Sequence, residues 1–493
     1  MGFRITTNMM VNTYKYNLMN NTNKLADARD KVLTQRNFNS YAEDPTGATK
    51  AFRLRRDWYQ TNSQLTNTTD TYNKFHTAWT NIQGILKDLE NPLAKMASIN
   101  GTTGTAGESR RALAQVLRET GNSVIQSMNQ NIGTHFVFAG DDGLNVPFSW
   151  SEDGKTLYYR GVNVNAGKVE KPLAPEPTWL ADAKKAIEDA YKADPDNKPA
   201  WSDTDQAWYD YYNHTSDTLP PNYDKPQWAK DLEAKAPTDP KEQEWLKYYK
   251  HEVEDKPVAD KPGWMDDPNY YTETGAPDVD KIKQDFGERE IDQKWIAYIN
   301  DQRDLEKLKK MSGEQMNLDL GMGMQEDANG KLVNGSAFNS ALCGINFVDY
   351  GVDKDGDPKN LALIMKELAD VFDTWDEDRD PQGYNPELAK GSAAGLTSKE
   401  LEEKAFRLMD KLKRSQENLT EKNVELDARA TFLKTNGSRL SDQRLNLNEQ
   451  VLDLEQVDLA EALTDLSWDQ YCYNSALKIG NQLLSQSLID YMN

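Results

Sequence analysis

The sequence predicts a mainly α protein with a small β portion: helices from both chain ends form an elongated coiled-coil bundle, and a mostly helical domain is inserted between them. Three observations predict it. Only 37% of the 493 residues are apolar, against about 45–50% in globular chains when glycine is counted, which disfavours one large core and suits long helices with wet faces. Leucine recurs at every seventh position through Leu412, Leu419, Leu426, Leu433, Leu440, Leu447 and Leu454, a period that keeps one helix face on a partner in a left-handed supercoil. Residues 171–311 hold 14 of the 20 prolines and 7 of the 12 tryptophans, a composition shift that marks an insertion.

In chain order, residues 1–45 form the first terminal helix, with a seam of Val11, Tyr14, Leu18, Asn21, Leu25, Ala28 and Val32 at alternating steps of three and four. A helical bundle comprises 46–132 and 359–456, and the leucine heptads are its seam. Gly437 and the polar Asn436 fall inside that seam and are expected to bend or interrupt the helix. A small β domain is expected from 133–170 and 312–358, on the evidence of Phe136, Phe138 and Thr156 to Tyr159. The strict alternation of Met316, Leu318, Leu320, Met322 and Met324 reads as one strand face. Between its halves lies the acidic, Trp- and Tyr-rich outer domain 171–311, with 21 basic and 32 acidic residues over 171–310. The last helix, 457–493, carries a second stripe of Leu459, Leu463, Leu466, Tyr473, Leu477, Leu484 and Tyr491. Apolar stripes at both ends need partners, so these helices are expected to be disordered in an isolated monomer.

A net charge of −22 argues against nucleic acid or an anionic membrane surface as a partner, and no apolar run is long enough to span a bilayer. Met1 to Asn23 is polar, so no cleaved secretory leader is expected. Two cysteines, Cys343 and Cys472, exclude a disulfide scaffold and a thiolate zinc cage. The four histidines, His76, His135, His214 and His251, contain no His-Glu-x-x-His pair. Nucleophile-elbow and P-loop patterns are missing, and Gly321-Met322-Gly323 lacks the third glycine of a dinucleotide loop. No enzyme and no cofactor are therefore expected.

The only metal candidate singled out is Asp376, Asp378, Asp380 and Glu387, at the first, third, fifth and twelfth positions of an EF-hand-like loop. Pro381 stands where that loop requires glycine, so an acidic solvated loop is the preferred reading. In the insertion, Trp208, Tyr211, Tyr212 and His214 recur 37 residues later as Trp245, Tyr248, Tyr249 and His251. Helical spacing puts each Trp and its tyrosines on one face, for which core packing is preferred over an exposed aromatic platform.

Several segments resemble the flagellin superfamily. Phe3 to Met10 is similar to its opening, Asn39-Ser40 with Glu43-Asp44-Pro45 to the turn between its first two helices, Leu454 to Ala462 to its Leu-Glu-Asp-x-Asp-Leu-Ala-Glu-Ala signature, and Ser485 to Met492 to its ending. Gly133 to Gly140 followed by Pro147-Phe148 resembles the branch formed by hook-associated proteins of type 3, the hook-filament junction proteins. The likeness covers roughly 3–165 and 312–493. It departs at Gln35, where the family has a helix-ending glycine, and Pro92 interrupts the segment that an innate-immune receptor reads in some flagellins.

The resemblance implies a structural protein of the bacterial flagellum, exported unfolded by the type III apparatus with an export chaperone and located outside the cell. Its partners would be further copies, neighbouring hook-associated proteins and flagellin. It implies that Val11, Tyr14, Leu18, Leu25 and Val32 pack with Leu477, Leu484 and Leu488 in an inner tube. It also implies that Leu412 to Leu454 face helices from 60–130. Two alternatives remain open: a divergent filament flagellin, and a surface adhesin or glycan-binding protein acting through 171–311.

Overall fold

The computed structural model describes residues 7–99, 107–182, 185, 203–212, 214, 225, 227–330, 332–333, 335–375, 393, 396 and 398–492. It is mostly helical, 66% helix and 7% strand, with small sheets. The elements run α1 (Thr7–Thr34), α2 (Pro45–Ile99), α3 (Gly107–Met128), β1 (Asn131–Ile132), β2 (His135–Phe136), β3 (Phe148–Trp150), β4 (Leu157–Tyr159) and β5 (Val162–Asn163). Next come α4 (Asp203–Tyr212), α5 (Gln227–Glu233), α6 (Pro240–Tyr249), α7 (Val279–Phe286) and α8 (Glu290–Ser312). The remainder are β6 (Asn317–Leu318), β7 (Phe338–Asn339), α9 (Ile345–Val348), α10 (Leu361–Thr374), α11 (Ser398–Glu455) and α12 (Leu459–Met492). The chain divides into two compact units, 1–83 with 315–341 and 420–493, and 84–314 with 342–419.

In the first unit α1 packs along α12. No glycine or proline interrupts α1, and Thr13 and Thr22 donate their hydroxyls to the carbonyls of Met9 and Leu18 instead of competing for the backbone elsewhere. It stops at Gln35, whose φ of +56° is the left-handed cap conformation and whose N–H donates to Lys31 O at 2.8 Å. Asn37 then stitches the following turn to the α11–α12 junction, donating from its side chain to the carbonyls of Leu454 and Gln456. Asp44 caps α2 by accepting from Thr46 N and Gly47 N, with Pro45 in the first helical position, where its missing N–H costs nothing.

Within this unit α2 and α11 run antiparallel: Arg55 pairs with Glu455, Arg444 donates to Asn62, Asn436 to Thr68, and Arg429 lies over Phe75. The expected interruption at Asn436 and Gly437 does not occur. α11 passes through both, because the buried Asn436 amide donates to Leu320 O at 2.8 Å and its oxygen accepts from Arg439 at 2.9 Å. The expected strand over 316–324 shrinks to Asn317–Leu318, paired with Phe338–Asn339. Asp319 accepts from Gly321 N and turns the chain, and Gly321 and Gly323 have φ of +75° and +77°, values incompatible with a strand.

In the second unit α3 packs on α10, whose N-terminus is capped by Asn360 and which is buried along most of its length. Pro92 lies inside α2 without ending it. The hairpin β1–β2 turns at Gly133, φ +62°. β3, β4 and β5 form an antiparallel sheet in which Phe148 faces Tyr159 and Tyr159 faces Val162. Since β6–β7 belongs to the first unit, the strands do not make one β domain. Among the described residues the insertion holds two small cores, one around Trp208, Tyr212, Trp245 and Tyr249, the other around Trp264, Ile282 and Trp295.

Its expected C-terminal boundary at 311 also changes. α8 packs on β5, Asp301 accepts from Gly167 N and Val169 N, and Cys343 Sγ donates to Met311 O at 3.0 Å. The end of α8 is therefore part of the wall around the β3–β5 sheet.

Candidate assembly interface

The seven α1 seam positions lie on its less exposed side: Ala28 is buried, and Val11, Tyr14, Leu18, Asn21, Leu25 and Val32 are half-buried. Opposite them on α12, Gly480 is buried, and a Cβ there would collide with the Tyr14 ring, so glycine permits the close approach. Of the second stripe, Leu466 and Tyr473 are half-buried and Leu459, Leu463 and Leu477 exposed. Leu484, Leu488 and Tyr491 belong to α12 by backbone; their side chains lie outside those described. Where disorder of the isolated ends is expected from sequence, the structure has two helices that give each other a partner.

Both helices also carry large apolar side chains in the open. Tyr16, Met19 and Leu33 stand out on α1, and on α12 Trp468 and Tyr471, 64% and 65% exposed, stack on each other with ring centroids 5.9 Å apart. This aromatic pair is absent from the sequence-derived stripe because it lies off the heptad positions. The bundle leucines Leu412, Leu419, Leu426, Leu433 and Leu440 are buried, Leu447 and Leu454 half-buried. A matching heptad row on α2, Thr61, Thr68, Phe75, Ile82 and Leu89, is buried as well. Its two threonines, polar by residue type, concealed it in the sequence; both are buried, and Thr68 satisfies its hydroxyl by donating to Gln64 O.

The acidic candidate Asp376, Asp378, Asp380 and Glu387 lies outside the described residues. Another carboxylate trio is well defined. Asp353, Asp355 and Asp357 hold ligand oxygens within 4.8 Å of one another, in a turn where Asp353 Oδ1 accepts from Asp355 N and Asp357 N. The Lys411 ammonium sits among them at 2.5, 2.8 and 2.6 Å, and Arg407 also binds Asp357. Burial alone would raise the Asp357 carboxyl, but its bonds to Arg407 and Lys411 outweigh that and hold it below the usual aspartate range. The centre is an internal ion-pair network. Its Asp-Lys-Asp-Gly-Asp spelling is a cation-loop signal in sequence, while the lysine that fills it comes from a distant helix.

The segment from Gly133 to Phe148 builds one wall of the β3–β5 core. Phe138 O accepts from Tyr159 Oη at 2.9 Å and Gly344 N at 2.8 Å, and a Cβ on Gly344 would strike the Phe148 ring. At its edge Arg160 binds Glu314 and Asp141. Burial raises the Glu314 carboxyl and pushes the Cys343 thiol up to about 12, which disfavours the thiolate form of this buried cysteine.

In the insertion, the Trp-Tyr-Tyr-His repeats pack on each other. Trp208 and Trp245 are buried, so this pair is core and not an exposed platform. His214 and His251 lie in parallel planes; in-plane nitrogen lone pairs on stacked rings cannot converge on one metal ion. Among the described residues no helix is long and apolar enough to cross a membrane. No family model matches the chain, and no curated protein does.

Proposed function

We propose that the chain is a structural subunit of an extended assembly of the kind the flagellin superfamily builds, joining hook to filament in a bacterial flagellum and carrying no catalytic residues. The observation that carries this reading is the terminal helix pair. One face of α1 and α12 is used between the helices, while Tyr16, Met19, Trp468 and Tyr471 stand exposed beside it. Each such side chain gains about 1.5–3 kcal/mol on full burial, which stacking of copies would supply. The resemblance at both ends and at 133–148 supports the junction branch. Partners are then further copies, neighbouring hook-associated proteins and flagellin, reached after type III export with a chaperone.

A divergent filament flagellin shares this physics and differs in copy number. The adhesin alternative draws no support from the insertion's aromatic repeat, since its tryptophans are internal. Removing Leu484 to Asn493 tests the reading, because it deletes Leu484, Leu488 and Tyr491 from the inner helix. The truncated protein should be exported but not incorporated, and cells should shed unpolymerised flagellin; normal swimming would overturn the assignment.

A further inference from the structure

A chain of net charge −22 repels its own copies, so a contact between them is favoured where the sign reverses locally. The first unit holds one. The start of α2 places Lys50, Arg53, Arg55 and Arg56 within seven residues, and beside them Phe52 and Tyr59 are 71% and 67% exposed. Arg55 is engaged by Glu455 of the same chain, and Arg56 pairs with its neighbour Asp57. Lys50 and Arg53 are exposed and make no ion pair among the described residues.

The end of α11 and the start of α12 are the complement. Between Arg444 and Lys478 there are seven carboxylates and no lysine or arginine. Glu449, Asp453, Glu461 and Asp465 are exposed, and exposed leucines, Leu445, Leu452 and Leu463, lie among them. Cation with aromatic on one edge is therefore the complement of carboxylate with leucine on the other. The contact between Arg55 and Glu455 is a short sample of that pairing within one chain.

We propose that the basic, aromatic start of α2 docks onto the acidic α11–α12 edge of a second copy of this chain. The proposal rests on the assembly reading above and adds its polarity. The two edges differ, so the contact is heterologous and repeats from copy to copy around a ring or along a helix. Opposite charge fixes the register of the apolar contacts and suppresses the reversed arrangement, in which like edges would meet.

The test uses full-length protein in sedimentation velocity over a range of concentrations. Two charge-reversed variants are compared, Arg53→Glu with Arg56→Glu, and Glu449→Arg with Asp453→Arg. Each alone should associate about tenfold more weakly than the wild type. Mixed in equal amounts they should recover, because an alternating array then matches every edge. Unchanged melting curves would show that these exposed positions leave the fold intact. Reversed variants that associate like the wild type, or a mixture no better than its components, would overturn the charge pairing while leaving assembly standing. A wild type that stays monomeric at every concentration would overturn both.

Discussion

His214 and His251 stack face to face, ring centroids 3.8 Å apart and planes within 11°. Tyr211 lies against the outer face of His251 and Tyr248 against that of His214, so four rings form one column. Each histidine has a φ above +50° and directs Nε2 at the carbonyl of the other repeat's tyrosine. A carbonyl only accepts, so both Nε2 atoms carry the proton. Tyr211 O thereby receives His214 N and His251 Nε2, and Tyr248 O receives the mirror pair. The two repeats hold each other by a reciprocal exchange.

That reciprocity predicts coupling. His214→Ala should destabilise the insertion by about 2 kcal/mol through the lost stack and hydrogen bond. The double change with His251→Ala should cost about 1 kcal/mol less than the sum of the single ones. Tryptophan fluorescence reads it, since Trp208 and Trp245 belong to this core. Additive effects would mean that the rings act independently.

Gln35 is a non-glycine residue held at φ +56° to end α1. Gln35→Gly removes the Cβ penalty and keeps the backbone bond to Lys31, so it should stabilise the first unit by about 1 kcal/mol. Gln35→Val should do the opposite, because a branched side chain fits this conformation worst. Thermal melting of the two variants gives the ranking; a Val variant as stable as the Gly variant would refute the strain.

Lys411 bridges three carboxylates, one of them the buried Asp357. Lys411→Met should cost about 3 kcal/mol, since it leaves like charges facing one another. Asp357 has a depressed carboxyl in the folded state. Its contribution is therefore complete above the ordinary aspartate value of about 3.9 and is lost as pH falls through the lower folded value. Acid unfolding followed by fluorescence should move to higher pH in Lys411→Met. An unshifted transition would show that the network adds nothing to stability.

Periodicity made the helical part of this fold legible. The α1 seam and the heptad leucines up to Leu440 occupy the less exposed helix faces, because spacing alone decides which side chains share a face. Local patterns misled where a few atoms outweighed them. Met316 to Met324 alternate like a strand, but Gly321 and Gly323 with the Asp319 turn break it. Asn436 looks like a fault in a coiled coil until Leu320 O appears as its partner. The insertion boundary followed proline and tryptophan, whereas Asp301 and Met311 tie the end of α8 to Gly167, Val169 and Cys343, contacts no composition records. The network around Asp357 was missed for the same reason, as its cations come from α11.

Location tests the central claim most directly. Antibodies against the protein, applied with gold to intact flagella, should label a single short band between hook and filament, where about one helical turn of subunits is enough for a junction. Label distributed along the whole filament, or none on the flagellum, would contradict the account.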